Sequence, residues 1–206
     1  MKMRVRLALV GAMVLAAATP ALAWKLVKVG DQIIVGKSSM VITAPTQWNR
    51  VTYGPIKGSE EWTLDGLTLN ELYVAGDIAS GKPLLYEFNK KDNPLPKFAD
   101  TMQLTDLPDL VERTWRVARN AVVFKTTAVE PAKLGGNDAV RIRYEYVRDG
   151  SNLIYKGIAT AAVVHGQLQL VLFEAPALFY FDRDSAKAVA VMDSVTFRVM
   201  PVAKPS

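Results

Sequence analysis

From Ala139 onward the chain alternates between apolar and polar side chains, and that alternation dictates a sheet. Val140, Ile142, Tyr144 and Tyr146 fall on one face of an extended strand, with Arg141, Arg143 and Glu145 on the other. A period of two puts successive side chains on opposite faces, whereas a helical stripe repeats about every 3.6 residues. Asp149-Gly150 turns the chain, Ile154–Val164 runs back, and His165-Gly166 turns it again. Leu168, Leu170 and Leu172 then alternate with Gln167, Gln169 and Val171. Short glycine-bearing connections join antiparallel neighbours, so the pattern predicts a three-stranded meander. A further strand over Val122–Ala128 and a turn at Leu134–Asp138 precede it.

The earlier part of the chain has shorter runs. Asp31–Val35 lies between glycines, and Met40–Ala44 is stopped by Pro45. Gln47–Tyr53 continues that run, with Trp48, Val51 and Tyr53 suited to a half-buried sheet. Gly54-Pro55 and Gly58-Ser59 mark loops. Glu61–Leu64 meets the turn Asp65-Gly66, and Asn70–Ala75 returns with Leu72 and Val74 set against Glu71, Tyr73 and Ala75. Leu84–Phe88 reads as another strand and Asn89–Asp100, with Pro94 and Pro96, as a solvated loop.

Thr105–Arg119 predicts a helix. Leu107, Leu110, Val111, Thr114, Trp115 and Ala118 form one apolar stripe, off which lie Glu112, Arg113, Arg116 and Arg119. Asp106 is the candidate cap, and Trp115 the side chain that packs the helix onto the sheet. A second helix runs to about Val195, capped by Asp182 or Asp184, with Ala186, Val189, Ala190 and Met192 as core contacts. Val195–Met200 adds a short last strand. The fold class is α+β: an antiparallel sheet of about six to eight strands packed by a few helices.

The first 23 residues have a different purpose. Lys2, Arg4 and Arg6 precede an unbroken apolar and small run, Leu7–Ala18, which leads through Thr19 and Pro20 to Ala21-Leu22-Ala23. That is the layout of a secretory signal peptide. The run of 12 residues is shorter than the roughly 20 that cross a bilayer. Cleavage after Ala23 predicts a soluble periplasmic chain: one domain over residues 24–200 and a frayed tail over 201–206. The alternative is an uncleaved leader that tethers the domain to the membrane. Removing the leader leaves 183 residues, enough for one core, and lowers the net charge from +5 to about +2. The remaining basic residues are interspersed with acids, which argues against a nucleic-acid partner. The absence of cysteine excludes disulfides, thiol chemistry, cysteine metal sites and a lipidated N-terminal cysteine.

Few motifs carry chemistry. Gly36-Lys37-Ser38 and Gly76–Lys82 each resemble part of a phosphate-binding loop, but Asp31 stands where the first needs glycine and Pro83 where the second needs a hydroxyl. Both read as structural loops. The sole histidine, His165, reads as a residue of a hairpin tip. Among the acids, no spacing nominates a catalytic pair. Glu174 stands out within Leu172-Phe-Glu-Ala-Pro176: buried, it would have a raised pKa, but the polar side of its strand toward solvent is the favoured reading. Aromatic residues cluster near the glycine turns and the proline loop. If one group is exposed there, Trp62, Asp65, Lys97 and Phe98 are the candidate ligand or partner patch. No catalytic residue, metal site or cofactor is expected.

Tyr155–Leu172, followed by a helix and Asp193-Ser-Val-Thr-Phe197, resembles the PsbP-like family of extrinsic proteins. Val41-Ile-Thr-Ala-Pro-Thr-Gln-Trp48 is similar to that family's early strand, and the helix at Thr105–Arg119 falls where the family has one. Ser59–Asp100 departs from the pattern as an extra strand-and-loop region. The resemblance implies a sheet between helices, an α/β/α sandwich, and a non-enzymatic accessory role. None of the family's photosystem-binding residues has a counterpart to carry over. The expected function is an exported accessory or binding protein of the bacterial cell envelope, its partner an envelope protein or small ligand. The alternative is a hydrolase acting on an envelope polymer through carboxylates. Acids converging in a cleft favour the hydrolase; an apolar surface patch favours binding.

Overall fold

The computed structural model describes residues 24–51 and 55–199. The expected leader over residues 1–23 with its expected cleavage site, residues 52–54, Met200 and the expected tail 201–206 lie outside the described residues. Among the described residues, eleven strands and two α-helices follow in chain order: β1 Trp24–Val27, β2 Gln32–Ile34, β3 Met40–Thr43, β4 Trp48–Val51, β5 Ser59–Thr63 and β6 Glu71–Ile78. Next come α1 Leu107–Ala118, β7 Ala121–Leu134, β8 Asn137–Arg148, β9 Ile154–Val164, β10 Gln167–Pro176, α2 Tyr180–Asp193 and β11 Val195–Phe197. Eight strands form one antiparallel sheet in the order β1-β4-β5-β6-β10-β9-β8-β7, and β11-β3-β2 form a second. The expected α+β class, an antiparallel sheet packed by a few helices, is realised. Among the described residues, no helix is long and apolar enough to cross a membrane.

The large sheet is covered on both faces, and this explains its middle strands. Leu72, Val74, Val171 and Phe173 belong to one core with Trp48, Trp62, Val191 and Met192. Tyr73, Ala75, Leu170 and Leu172 belong to another with Leu107, Val111 and Trp115. A strand sandwiched between two cores has no solvent side, so β10 is buried from Leu168 to Pro176. The alternation in β8 still marks its faces, as expected. Trp115 does pack α1 onto the sheet.

Several element boundaries differ from the sequence reading. Gln47–Tyr53 does not continue β3: after Pro45 the chain crosses to the other sheet, where β4 pairs β1 and β5. Leu84–Phe88 forms no strand. Leu84 and Leu85 are buried, but Tyr86 and Phe88 point outward. β7 is longer than predicted and passes through Pro131, which an edge strand tolerates because one row of its N–H groups faces no neighbour. In α2 neither aspartate caps. Phe179, at φ 71°, starts the helix, and Asp184 is buried inside it. Its core side is Phe181, Ala188, Val191 and Met192, while Ala186 faces solvent. The bulky Phe181 and Met192 dictate the buried side over the small alanine.

Candidate functional site

One row of residues crosses the face of the large sheet beneath α1. Register places Glu71 of β6 opposite Glu174 of β10, Glu174 opposite Gly157 of β9, and Gly157 opposite Tyr144 of β8. Directly opposed residues share a face, so two carboxylates sit side by side next to a position with no side chain. Like charges so placed repel. Arg119, at the C-terminal end of α1, resolves the conflict. Its Nη2 donates to Glu71 Oε2 at 2.8 Å, and its Nε lies 2.8 Å from Glu174 Oε1. A cation also suits the C-terminal end of a helix, where backbone carbonyls concentrate negative charge.

Glu174 is only 3% exposed, which corrects the solvent-facing expectation. The physical reason is a full set of partners. Trp115 Nε1 donates to Glu174 Oε2 at 2.7 Å, the Tyr144 hydroxyl lies 3.5 Å from the same oxygen, and Arg119 neutralises the other. A buried carboxylate is tolerated when paired and hydrogen-bonded. Tyr144 can reach it because Gly157 leaves space for the ring to lean across.

Electrostatics at this cluster follow from burial. Desolvation pushes Glu71 up to about 7; Arg119 opposes this, and the neighbouring Glu174 and Glu61 add to it. Glu61 is also raised, by burial against the pull of Arg119. Burial disfavours the Arg119 charge as well, but Glu174 and Glu71 outweigh it and hold the guanidinium above its ordinary range. Burial likewise pushes the Tyr144 hydroxyl well above its usual value.

A pH prediction follows. The unfolded Glu71 carboxyl titrates near 4.5 and the folded one near 7. Between those values the folded state holds the extra proton, so stability from this group falls as pH rises through the window. Each pKa unit corresponds to about 1.4 kcal/mol. Wild type should therefore gain up to about 3 kcal/mol relative to Glu71→Gln between pH 8 and pH 4.5. Urea denaturation of both proteins across that range checks it, and parallel pH profiles would contradict it.

The cluster opens into a pocket of about 230 Å³. Glu61, Glu71 and Arg119 lie at its polar wall, Leu85, Leu95 and Val117 at its apolar wall, and Tyr86 and Phe88 at its side. Tyr86 and Phe88 meet edge to face with centroids 4.9 Å apart, and Phe88 is 93% exposed. Glu61 shares the α1 face because it pairs with Tyr73, two residues from Glu71. Its carboxylate has no hydrogen bond or ion pair among the described residues. Among those residues no three His, Asp or Glu side chains are grouped to hold a metal ion.

The four residues proposed as a patch are not one surface. Trp62 and Phe98 are buried, in the cores on opposite faces of the sheet. Trp62 is held there because its Nε1 donates to the buried Glu60, 2.9 Å away. Asp65 pairs with Arg183 and accepts from Asn70 Nδ2 at 2.6 Å, tying the β5–β6 turn to α2. Lys97 lies in the proline loop, bridged through its backbone to Pro83. His165 occupies the β9–β10 hairpin tip, with φ values of 51° there and 73° at Gly166. Those angles are what a two-residue turn between twisted strands requires.

Sequence reasoning singled out Glu174 but missed Arg119, Glu71 and Glu61. The signal for Arg119 was its spacing: 107, 111, 115 and 119 continue one helical row, so the arginine follows Trp115 on the buried side. The segregation of Glu71 from Leu72 and Val74 was visible. Its burial was not, because that depends on α1.

No family model matches the chain, and no curated protein matches it by sequence. Solved structures do. The solution structure of cyanobacterial PsbP (CyanoP) from Synechocystis sp. PCC 6803 superposes with a TM-score of 0.51 at 16% identity, over 91% of this chain and 98% of that one. The fold is thus PsbP-like, a likeness of fold alone. A protein from Bacteroides thetaiotaomicron matches at TM-score 0.47 and 12% identity, covering 83% of this chain and 49% of its own. LpqN of Mycobacterium tuberculosis, described as involved in cell envelope biogenesis, matches at TM-score 0.37 and 12% identity, over 86% of this chain and 91% of its own.

Proposed function

We propose that this chain is an exported, non-enzymatic accessory protein of the bacterial envelope that takes a cationic group into the pocket beside Arg119. One observation carries the reading. Of the acids that converge there, Glu71 and Glu174 are already bound to Arg119, while Glu61 faces the pocket without a partner among the described residues. A hydrolase using two carboxylates needs both open to substrate, one to protonate and one to attack or activate water. Glu174 is sealed under Trp115 and Tyr144.

What remains open complements an ammonium or guanidinium on an aliphatic stem. Glu61 meets the charge, beside the Glu71 Oε1 that Arg119 does not engage among the described residues. The exposed rings of Tyr86 and Phe88 offer cation–π contact, and Leu85, Leu95 and Val117 receive the stem. A volume of about 230 Å³ suits one basic side chain of a partner envelope protein, or a small amine. It falls below the roughly 300–1,000 Å³ of pockets that enclose larger ligands. Export and a soluble periplasmic location rest on the Met1–Ala23 leader, and the intact mass of the exported protein tests them: a chain still beginning at Met1 supports the tethered form instead.

Calorimetry with pentane-1,5-diamine tests the pocket. Saturable binding is expected, several-fold tighter at pH 8 than at pH 6 as Glu71 ionises. Glu61→Gln should weaken it at least tenfold, and Phe88→Ala should weaken it less. Equal binding by Glu61→Gln, or none by wild type, contradicts the reading. Cleavage of an envelope polymer, abolished by Glu71→Gln, would replace it with carboxylate hydrolysis.

A further inference from the structure

The two lysine-bearing glycine segments that fail separately as phosphate loops come together around one cavity. It measures about 480 Å³ and is bordered by Lys37 of the β2–β3 turn, Lys57 of the loop before β5, and Lys82 of the loop after β6. None of the three has an ion pair among the described residues, unlike Lys133, Lys156 and Lys187, although other exposed lysines such as Lys90 and Lys125 share that state; what sets these three apart is that they border one cavity.

One carboxylate, Asp77, also lines the cavity, but its oxygens are engaged. They accept from Ser39 N and Ser39 Oγ, each at 2.6 Å, and from Gln169 Nε2 at 2.9 Å. Gln169 is buried, and its Oε1 accepts in return from Asp77 N at 3.1 Å. The register between β6 and β10 shifts here, so Gly76 and Asp77 stand against Gln169 as a bulge. Asp77 adopts φ 56°, an uncommon value for a residue with a side chain. Bulges re-aim side chains, and this one turns the aspartate toward Ser39.

The floor is backbone that no side chain can fill. A Cβ on Gly58 would lie 2.7 Å from Gly76 O, and one on Gly76 would lie 2.7 Å from Ser38 Cβ. The cavity is therefore preformed, with Ile78 and Pro83 in its lining and the three exposed lysines at its border.

We infer that this cavity is a second binding site, for a small phosphate-type dianion on a short apolar body. Three lysines against one engaged carboxylate leave a net positive site that matches a dianion, and lysine acts as a point charge toward phosphate. No helix N-terminus faces the cavity to cradle a polyphosphate, so the match is to a single phosphate group. The same monoester group can come from a soluble phosphate ester or from the headgroup of phosphatidic acid.

The protein would be titrated with glycerol phosphate while its amide NMR spectrum is followed, and sedimented with vesicles containing phosphatidic acid, whose phosphomonoester headgroup reaches the dianion. Saturable shifts at Gly58, Gly76 and Ile78 are expected, with affinity falling at least tenfold in the triple variant Lys37→Ala, Lys57→Ala, Lys82→Ala. The three side chains are exposed, so an unchanged thermal melt is expected to show that the variant folds. Glycerol phosphate binding alone assigns a soluble ester; added, lysine-dependent vesicle binding assigns a lipid headgroup. No saturable shift with glycerol phosphate, or equal affinity in the triple variant, overturns the inference.

Discussion

Arg119→Met should destabilise the protein by about 3–5 kcal/mol, the usual cost of removing one partner from a buried ion pair. For a chain of this size that corresponds to a fall in Tm on the order of 10 °C. The loss is large because Arg119 serves two carboxylates placed opposite each other on β6 and β10. Without it, Glu71 and Glu174 repel across a strand pair under a tryptophan that excludes water. Lost packing contributes as well, since the guanidinium lies 5.9 Å from the centre of the Trp115 ring. Protonation relieves the repulsion, so the deficit should shrink from pH 8 toward pH 5.5. Combining Arg119→Met with Glu71→Gln and Glu174→Gln should restore most of the stability, because neutral groups replace the uncompensated charges. Urea denaturation followed by tryptophan fluorescence measures all three effects. A single variant as stable as wild type would show that the carboxylates do not depend on Arg119.

Gly157→Ala should cost about 3 kcal/mol, although alanine normally improves on glycine inside a strand. A Cβ at position 157 would fall well within van der Waals contact of the Tyr144 ring. That ring cannot retreat: it stacks on Phe124 at 4.9 Å and on Tyr146 at 6.2 Å, and its hydroxyl reaches toward Glu174. The substitution should therefore also disturb the acidic cluster, visible as altered near-UV circular dichroism. Tyr144→Ala removes the obstruction, so the double variant should cost less than the sum of the singles by 1 kcal/mol or more. Additive costs would show that the ring and the glycine are independent.

These two residues mark what sequence reading reached and what it did not. Alternation in β8 placed Tyr144 on a buried face, and the turns at Asp149 and His165 placed β9 and β10 beside it. Local periodicity and turn chemistry carry that information. They carry none about register across non-consecutive strands. β6 and β10 pair although about ninety residues separate them, and only that pairing puts Glu71 against Glu174. Glu174 was conspicuous for its apolar neighbours, but exposure was the favoured reading because its partners Trp115, Arg119, Tyr144 and Arg148 come from α1, the residue that ends it, and β8. Trp62 and Phe98 were candidates for a patch only if their aromatic group is exposed, and each packs into a core on its own side of the sheet. Lys37 and Lys82 were dismissed singly, since neither segment makes a phosphate loop. Their meeting with Lys57 requires the fold.

The acidic pocket is the feature on which the functional account stands, and one titration addresses it without knowledge of the natural partner. Pentane-1,5-diamine would be added to the isotope-labelled protein at pH 8, with every amide resonance followed. The account predicts saturable shifts centred on Glu61, Glu71, Tyr86 and Phe88, lost in Glu61→Gln. An unmoved spectrum, or shifts centred away from those residues, would contradict it.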